Sequence, residues 1–380
     1  MKSHYHIIIA GAGGIAEAAA LMLAELSPVT PSIYIGNRTL EKAEKVAQWV
    51  RAGTTRPCDI HAFPLTLDLN PVMKEIFGKA DILLDCLPGN LAPKMATLAK
   101  EFQLHYANLT EYVSETEEII ALAKDAKTGF LLQTGLAPGY INVLGHQLFK
   151  QFCKDFGVAK ADKLEMKVGA LTRHAVAPHY YGFTWSPVGV ATEYIKDAVG
   201  IREFKKAVLP ALTEGSAIVI DGTAYDEALT SGGAADLPDA LADKVKSLDY
   251  KTLRHPGHYQ WVQEQIISMD PGSDPIVVLQ RKMEAVVPHI EEDLIVLYAS
   301  VEGQDQAGVL KRREIAKRIY PAKVGKYVLR AIQTTTAAPL LQAAQLLLEA
   351  PKSGVILQSE IDPDMFLNGN YIVSIYGNSE

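Results

Sequence analysis

The chain is poor in cysteine. Its three cysteines in 380 residues, Cys58, Cys86 and Cys153, form no C-x-x-C pair and leave an odd count. That excludes a disulfide framework and fits a reducing compartment. Positive charge is not in excess either: 37 Lys and Arg stand against 44 Asp and Glu, a net charge of −7. A chain without a basic footprint is a poor nucleic-acid binder. No apolar run approaches the ~20 residues that span a bilayer. The run at Ile7 to Ile9 passes straight into glycine, too soon for the apolar core of a signal peptide. We therefore expect no nucleic-acid partner, no membrane partner and a cytoplasmic location. There is no G-x-S-x-G elbow. There is also no H-x-x-x-H, no Cys and His cluster and no Asp-rich loop, so no metal is expected. No internal repeat or low-complexity segment stands out.

What is present describes a folded globular protein. Hydrophobic residues make up 48% of the chain and charged residues 21%, and 380 residues are enough for two domains of ordinary size. The stretch "IIIAGAGGIAEAAALMLAEL", residues 7 to 26, reads as a buried strand, a glycine turn and a helix. Within it, Gly11-Ala12-Gly13-Gly14-Ile15-Ala16 matches G-x-G-x-x-G/A. The first glycine permits a tight turn and the second lets a pyrophosphate approach the backbone. The third position must be small so that helix and strand pack closely. The free N–H groups and dipole of the following helix would face the phosphates.

A second strand over Ser32 to Ile35 ends at Gly36-Asn37-Arg38, where an NAD site usually carries Asp or Glu for the ribose hydroxyls. No carboxylate stands there to repel a 2′-phosphate, and Arg38 can pair with one. NADP is favoured on that ground, with NAD as the alternative. "ADILLDCLPG", residues 80 to 89, reads as another strand, and ligands of open parallel sheets lie beyond the strands' carboxyl ends. That places Leu87, Pro88 and Gly89 beside the cofactor. Cys86 reads as a small buried filler.

Strands at 104–112 and 128–142, with helical patterns at 91–102 and 114–126 between them, predict a doubly wound α/β sheet of the Rossmann type. After about residue 140, "DKLEMKVGAL", "SAIVIDGTAYDEA", "PIVVLQRKMEAVV" and "EDLIVLYASVEG" read as longer strands without a helix after each. They predict an inserted α+β domain with a mixed or antiparallel sheet. Residues 334–350 read as a buried helix packing back on the first domain, and 231–244 as a mobile loop. The expected division is 1–138 for dinucleotide binding, 139–332 for substrate and dimerisation, and 333–380 for the returning segment.

Four pieces then carry a family likeness: Gly11 to Ala16, Gly135-Leu136-Ala137-Pro138-Gly139, "GFTWSPVGV" from Gly182 to Val190, and "TLRHPGH" from Thr252 to His258. With them the chain resembles the saccharopine dehydrogenase-like family, which includes saccharopine reductases and lysine 6-dehydrogenases. The resemblance runs over nearly the whole chain, with His255 in place of the family's usual Tyr. It implies NAD(P)-dependent hydride transfer at a carbon bearing nitrogen, on amino acids or their imine conjugates, commonly in a homodimer. Two positions depart from the saccharopine reductases: Ala137 stands for an aspartate and Val168 for a cysteine. The A-P-G loop, the "VGAL" segment and the chain length are closer to lysine 6-dehydrogenases. The Asn37-Arg38 tip points away from the NAD which that branch generally uses, and the substrate stays open.

Such chemistry needs a held carboxylate and a group that moves the amine proton. Arg254, before the rigid His255-Pro256-Gly257-His258 turn, suits a carboxylate through its guanidinium fork, with Arg173 second. Tyr112 follows a strand end and matches a tyrosine of saccharopine reductases. His174, His179 and His258 have the intrinsic pKa for acid–base work, and each also has a structural reading. Trp185 reads as core or pocket wall. A different class of function, a catalytically silent NADP(H)-binding redox sensor or scaffold, fits the same fold.

Overall fold

A computed structural model describes residues 4–377. The chain divides into two compact units, the first formed by Met1–Tyr140, Ala322–Leu329 and Gln333–Glu380, the second by Ile141–Pro321 and Arg330–Ile332.

The first unit alternates strand and helix: β1 (His6–Ala10), α1 (Gly14–Leu26), β2 (Ser32–Asn37), α2 (Leu40–Gly53), β3 (Asp59–Pro64), α3 (Pro71–Lys79), β4 (Ile82–Asp85), α4 (Ala92–Glu101), β5 (His105–Asn108), α5 (Val113–Ala123) and β6 (Gly129–Leu131). Every pairing in its sheet is parallel, and the strands lie in the order β3-β2-β1-β4-β5-β6. This is the doubly wound order with its reversal between β1 and β4. The strands are apolar on both faces because helices cover both. In α2, Ala43, Val46, Ala47 and Val50 are buried, the i, i+3, i+4, i+7 stripe of a helix packed on one side. In α1 the alanines allow the helix to lie close on the sheet, and Ala16 and Ala18 to Ala24 are all buried.

The second unit holds α6 (Tyr140–Phe156), β7 (Ala161–Thr172), α7 (Pro187–Ile195), β8 (Ala198–Arg202), β9 (Lys205–Leu209), β10 (Ser216–Ile220), β11 (Thr223–Leu229), α8 (Leu237–Ala240), β12 (Val245–Arg254), α9 (His258–Ile267), α10 (Pro275–Glu284), β13 (Asp293–Gln304) and β14 (Leu310–Ile319). Its sheet is mixed, in the order β10-β11-β12-β7-β13-β14 with β8 and β9 beside β12. Only β12 and β7 run parallel. Along β7, Leu164, Met166 and Val168 alternate with Lys163, Glu165 and Lys167. The charged side is satisfied internally: Lys167 Nζ lies 2.5 Å from Glu227 and 3.1 Å from Glu165, and Lys251 lies 3.3 Å from Glu227. Pairing of this kind is what makes buried charge tolerable. Arg318 on β14 donates to the Ile220 carbonyl of β10 at 2.6 Å, a side-chain link between the two edge strands.

The chain then returns to the first unit. A hairpin of β15 (Ala322–Val324) and β16 (Tyr327–Leu329) stacks Tyr327 on Trp49 at 4.7 Å. The helix α11 (Ala331–Glu349) follows, and β17 (Gly354–Ile356) pairs in parallel with β6 as a seventh strand. The chain ends in α12 (Pro363–Leu367) and α13 (Asn370–Tyr376).

Two expectations are corrected. "PIVVLQRKMEAVV" is helical, not extended. Asp274 caps it by accepting from the N–H groups of Ile276 and Val277, Pro275 takes the first turn, and Leu279 and Met283 are its buried residues. Burial four residues apart is a helical period, which the run of valines and isoleucine concealed. Residues 231–244 are not a bare loop: they contain α8 and bury Ala234, Leu237 and Leu241, and the Gly233 carbonyl accepts from Asn142 at 2.9 Å. Among the described residues no helix is long and apolar enough to cross a membrane.

Candidate cofactor cradle and substrate-side residues

The carboxyl ends of β1, β2, β4 and β5 bring the glycine motif together with the other nucleotide-side residues. Gly11 has φ +120°, and its N–H donates to the Gly36 carbonyl at 2.8 Å. A Cβ there would sit 3.0 Å from the Cys86 carbonyl oxygen. Gly13 precedes α1 with extended backbone, no side-chain cap and no atom within 4 Å of a would-be Cβ. The first-turn N–H groups of Gly14, Ile15 and Ala16 have no intrahelical acceptor, and no side chain caps them. An open helix terminus beside bare glycine backbone is a ready anion site, and a dinucleotide pyrophosphate fits it. Ala16 is buried against the sheet, and the Gln333 amide of α11 donates to the Gly14 carbonyl at 2.9 Å.

At the end of β2, Asn37 accepts from the Thr39 N–H at 2.9 Å, turning the chain so that Arg38 is exposed. No ion pair among the described residues engages Arg38. Leu87, Pro88 and Gly89 follow β4 with Leu87 and Gly89 half-buried and Pro88 exposed. Gly89 is pressed by β5's end: a Cβ on it would lie 2.5 Å from Thr110 Oγ1 and 2.8 Å from the Tyr112 ring. Tyr112 is half-buried and stands at the N-cap position of α5, without a side-chain capping bond. Cys86 is half-buried, and burial pushes its thiol well above the usual range.

Beneath this loop lies a group that the sequence reading passed over. Asp85 ends β4, is 2% exposed, and accepts from the Leu87 N–H at 3.0 Å and the Tyr106 hydroxyl at 2.8 Å. Burial raises its pKa to about 6, against the lowering from those two bonds. The folded chain therefore binds this proton more tightly than the unfolded chain. The linked stability is full below the unfolded value near 4 and is lost as pH rises through about 6. The full swing is about 3 kcal/mol. Asp85→Asn keeps an acceptor for Leu87 and cannot ionise. Urea unfolding should show its stability relative to the parent rising by ~1–3 kcal/mol between pH 4 and pH 8. An offset independent of pH would refute the assignment. A lone acid inside "ILLDC" was the available signal.

In the second unit, Arg254 ends β12 and is 1% exposed. Its Nε–H donates to the Tyr194 hydroxyl at 2.5 Å and Nη1 to the Leu253 carbonyl at 3.0 Å, while Nη2 faces Glu193 at 3.8 Å. The guanidinium lies over the rings of Tyr181 (5.0 Å) and Tyr194 (5.5 Å). Burial opposes its charge, yet Tyr194, Tyr181, Tyr259 and Glu193 hold its pKa above the usual value. The Tyr181 hydroxyl beside it is buried without a hydrogen-bond partner.

His258 is corrected from acid–base candidate to core residue. It is fully buried, with Nδ1 2.6 Å from the His179 carbonyl and Nε2 3.0 Å from the Tyr194 hydroxyl. A carbonyl only accepts, so Nδ1 carries the proton and Nε2 accepts from Tyr194. Burial, with the Arg254 charge beside it, lowers its pKa to about 3. Such an imidazole stays neutral and is fully engaged. His179 is also buried, its ring edge-on to Trp261 at 6.0 Å.

Arg173 and His174 lie on the surface after β7 and both face Glu292, at 3.8 and 3.3 Å, with the His174 side chain 75% exposed. Neither has the enclosure that tunes a catalytic group. Trp185 is half-buried and packs over Gly189 and the Phe183–Val190 core. Ala137 is half-buried in a loop closed by bonds from Gly135 N–H to Pro138 O (2.9 Å) and Tyr140 N–H to Gly135 O (2.8 Å). Val168 is buried on β7. Neither side chain can carry a proton. Among the described residues no three His, Cys, Asp or Glu side chains gather to hold a metal ion.

Known proteins place this arrangement. The family profile "Saccharopine dehydrogenase NADP binding domain" matches residues 7–132, and "Saccharopine dehydrogenase C-terminal domain" matches residues 135–369. Among solved structures, apo saccharopine dehydrogenase (L-Glu forming) from Saccharomyces cerevisiae is similar with a TM-score of 0.77 at 15% identity, over 98% of each chain. The homospermidine synthase of Legionella pneumophila, solved with NAD, is similar with a TM-score of 0.65 at 15% identity, over 98% of this chain and 90% of that one. At such identity these two likenesses speak for the fold, and the two profiles for the family. The first unit is thus an NAD(P)-binding domain, and the chain belongs to the saccharopine dehydrogenase family of NAD(P)-dependent oxidoreductases.

Proposed function

We propose that the protein is an NADP(H)-dependent oxidoreductase that oxidises an amine or reduces an imine at a carbon–nitrogen bond of an amino-acid-like substrate. The observation that carries the cofactor choice is the tip of β2, where an exposed Arg38 follows Asn37 and no carboxylate stands. Arg38→Ala should weaken NADPH binding by about 10- to 100-fold, the worth of a charge-assisted contact, and leave NADH unchanged. Equal losses for both cofactors in a fluorescence titration would refute the phosphate role.

When bound, the nicotinamide supplies or accepts the hydride. The chain's own work is to hold and orient. The open first turn of α1 receives the pyrophosphate. Arg254 offers Nη2 and the neighbouring Tyr181 hydroxyl to the substrate carboxylate, inside a low-dielectric nest where such a contact is strong. Tyr112, half-buried at the end of β5 and against Gly89, is the group we assign to orient the amine or pass its proton. Ala137 and Val168 supply neither of the two proton-handling side chains of the saccharopine reductases, which favours a related amino-acid-like substrate over saccharopine. The test is NADPH consumption by the purified protein over a panel of oxo acids paired with amines and amino acids, with NADP reduction by lysine and related diamines as the reverse. Turnover with one pair supports the proposal. NADPH binding without turnover across the panel would instead favour the silent sensor reading, to which Ala137 and Val168 lend their own support.

A further inference from the structure

The first unit contains a cavity of about 230 Å³ that no part of the cofactor site uses. Its walls are Tyr5 and Ile7 at the start of β1, Leu23 at the end of α1, Val29 in the next loop, and Leu341 and Leu348 on α11. It therefore lies at the amino end of β1, and nearly the whole length of α1, roughly 20 Å for its 13 residues, separates it from the cradle. The walls are mostly apolar, and of the polar side chains that also line it, Ser27, Gln345, Glu349 and Tyr371, only Gln345 carries a buried atom without a hydrogen-bond partner. The Gln345 amide nitrogen donates to Glu349 at 3.0 Å, which fixes the amide's orientation. Its carbonyl oxygen Oε1 is then left buried with no hydrogen-bond partner. A buried acceptor without a donor is costly, and a ligand that brings one N–H removes that cost.

The geometry points to a second, non-catalytic ligand site here, for a small aromatic molecule with a single hydrogen-bond donor. Size sets the class. A dry cavity of about 150 Å³ takes benzene, so this one takes about nine non-hydrogen atoms, the size of a fused bicyclic ring. Tyr5 and the aliphatic side chains supply the faces, and Gln345 Oε1 selects a ring N–H. The Glu349 carboxylate at the exposed edge of the lining repels an anion and already accepts from Gln345, and the apolar walls favour a neutral heteroaromatic as the occupant.

Indole is the probe, and benzofuran, of the same shape without the N–H, is its control. Both are titrated against the full chain by ligand-observed NMR. Indole should bind saturably and about tenfold more tightly than benzofuran, the worth of one net hydrogen bond. Gln345→Leu should reduce indole to the level of benzofuran, and Ala344→Leu, which puts three more carbons into the cavity, should abolish both. Gln345 is only partly buried, so its variant tests the claim even if Ala344→Leu does not fold. Absence of saturation by indole, or a preference for indole that persists in Gln345→Leu, would overturn the site.

Discussion

Gly13→Val should abolish NADPH binding, by at least about 100-fold, in a protein that still folds. The two halves of that result come from different facts. Gly13 has φ −98° and ψ −179°, an extended backbone open to any residue, and no atom lies within 4 Å of the added Cβ. The exchange of glycine for valine before a helix costs at most about 1 kcal/mol. The empty space in front of Gly13 is where the pyrophosphate must approach the backbone to reach the N–H groups of α1, and branched methyl groups there hold it off. Gly11→Ala is the contrasting case. Its φ of +120° and a Cβ 3.0 Å from the Cys86 carbonyl should lower stability as well as affinity. Calorimetric titration and thermal melting of both variants separate the effects. NADPH affinity unchanged in Gly13→Val would show that the cradle is only a turn.

The second large effect is expected at Arg254. Arg254→Met fills a similar volume without charge. It should lower kcat/KM by at least about 100-fold through a raised substrate KM, with NADPH affinity kept. Stability should fall as well, by about 3 kcal/mol, because the variant takes the buried guanidinium away from the Glu193 carboxylate and the Tyr194 hydroxyl. Arg254→Lys retains the charge but not the fork that reaches Tyr194 and the Nη2 side together. It should recover most of the stability and little of the KM. The KM separates the two roles: a folded Arg254→Met enzyme with substrate KM within about threefold of the parent would make Arg254 a purely structural cation.

Much of the first unit was readable along the chain because its signals are local. Gly11 to Ala16, the apolar strands and the alanine-rich α1 each depend on neighbours a few residues away, and a parallel sheet with helices on both faces follows from their alternation. The same local reasoning failed at residues 275–287. There β-branched residues imitate a strand, and the decision belonged to Asp274, whose side chain caps the helix. It left His258 between an acid–base and a structural reading. The histidine was visible, but the carbonyl and hydroxyl that hold it neutral come from His179 and Tyr194, 79 and 64 residues away.

The sequence by itself determined the cofactor class, the glycine cradle, the bare tip of β2 and the family. Each is a matter of residue type at short spacing, where sterics and the sign of a charge suffice. Only the tertiary structure decided which titratable groups are free to act. It buried Asp85, His258 and Arg254 and left Arg173 and His174 in water beside Glu292. It also opened a cavity between α1 and α11, segments more than three hundred residues apart in the chain. Burial and partnership set pKa, and both are sums over atoms that meet only when the chain is folded.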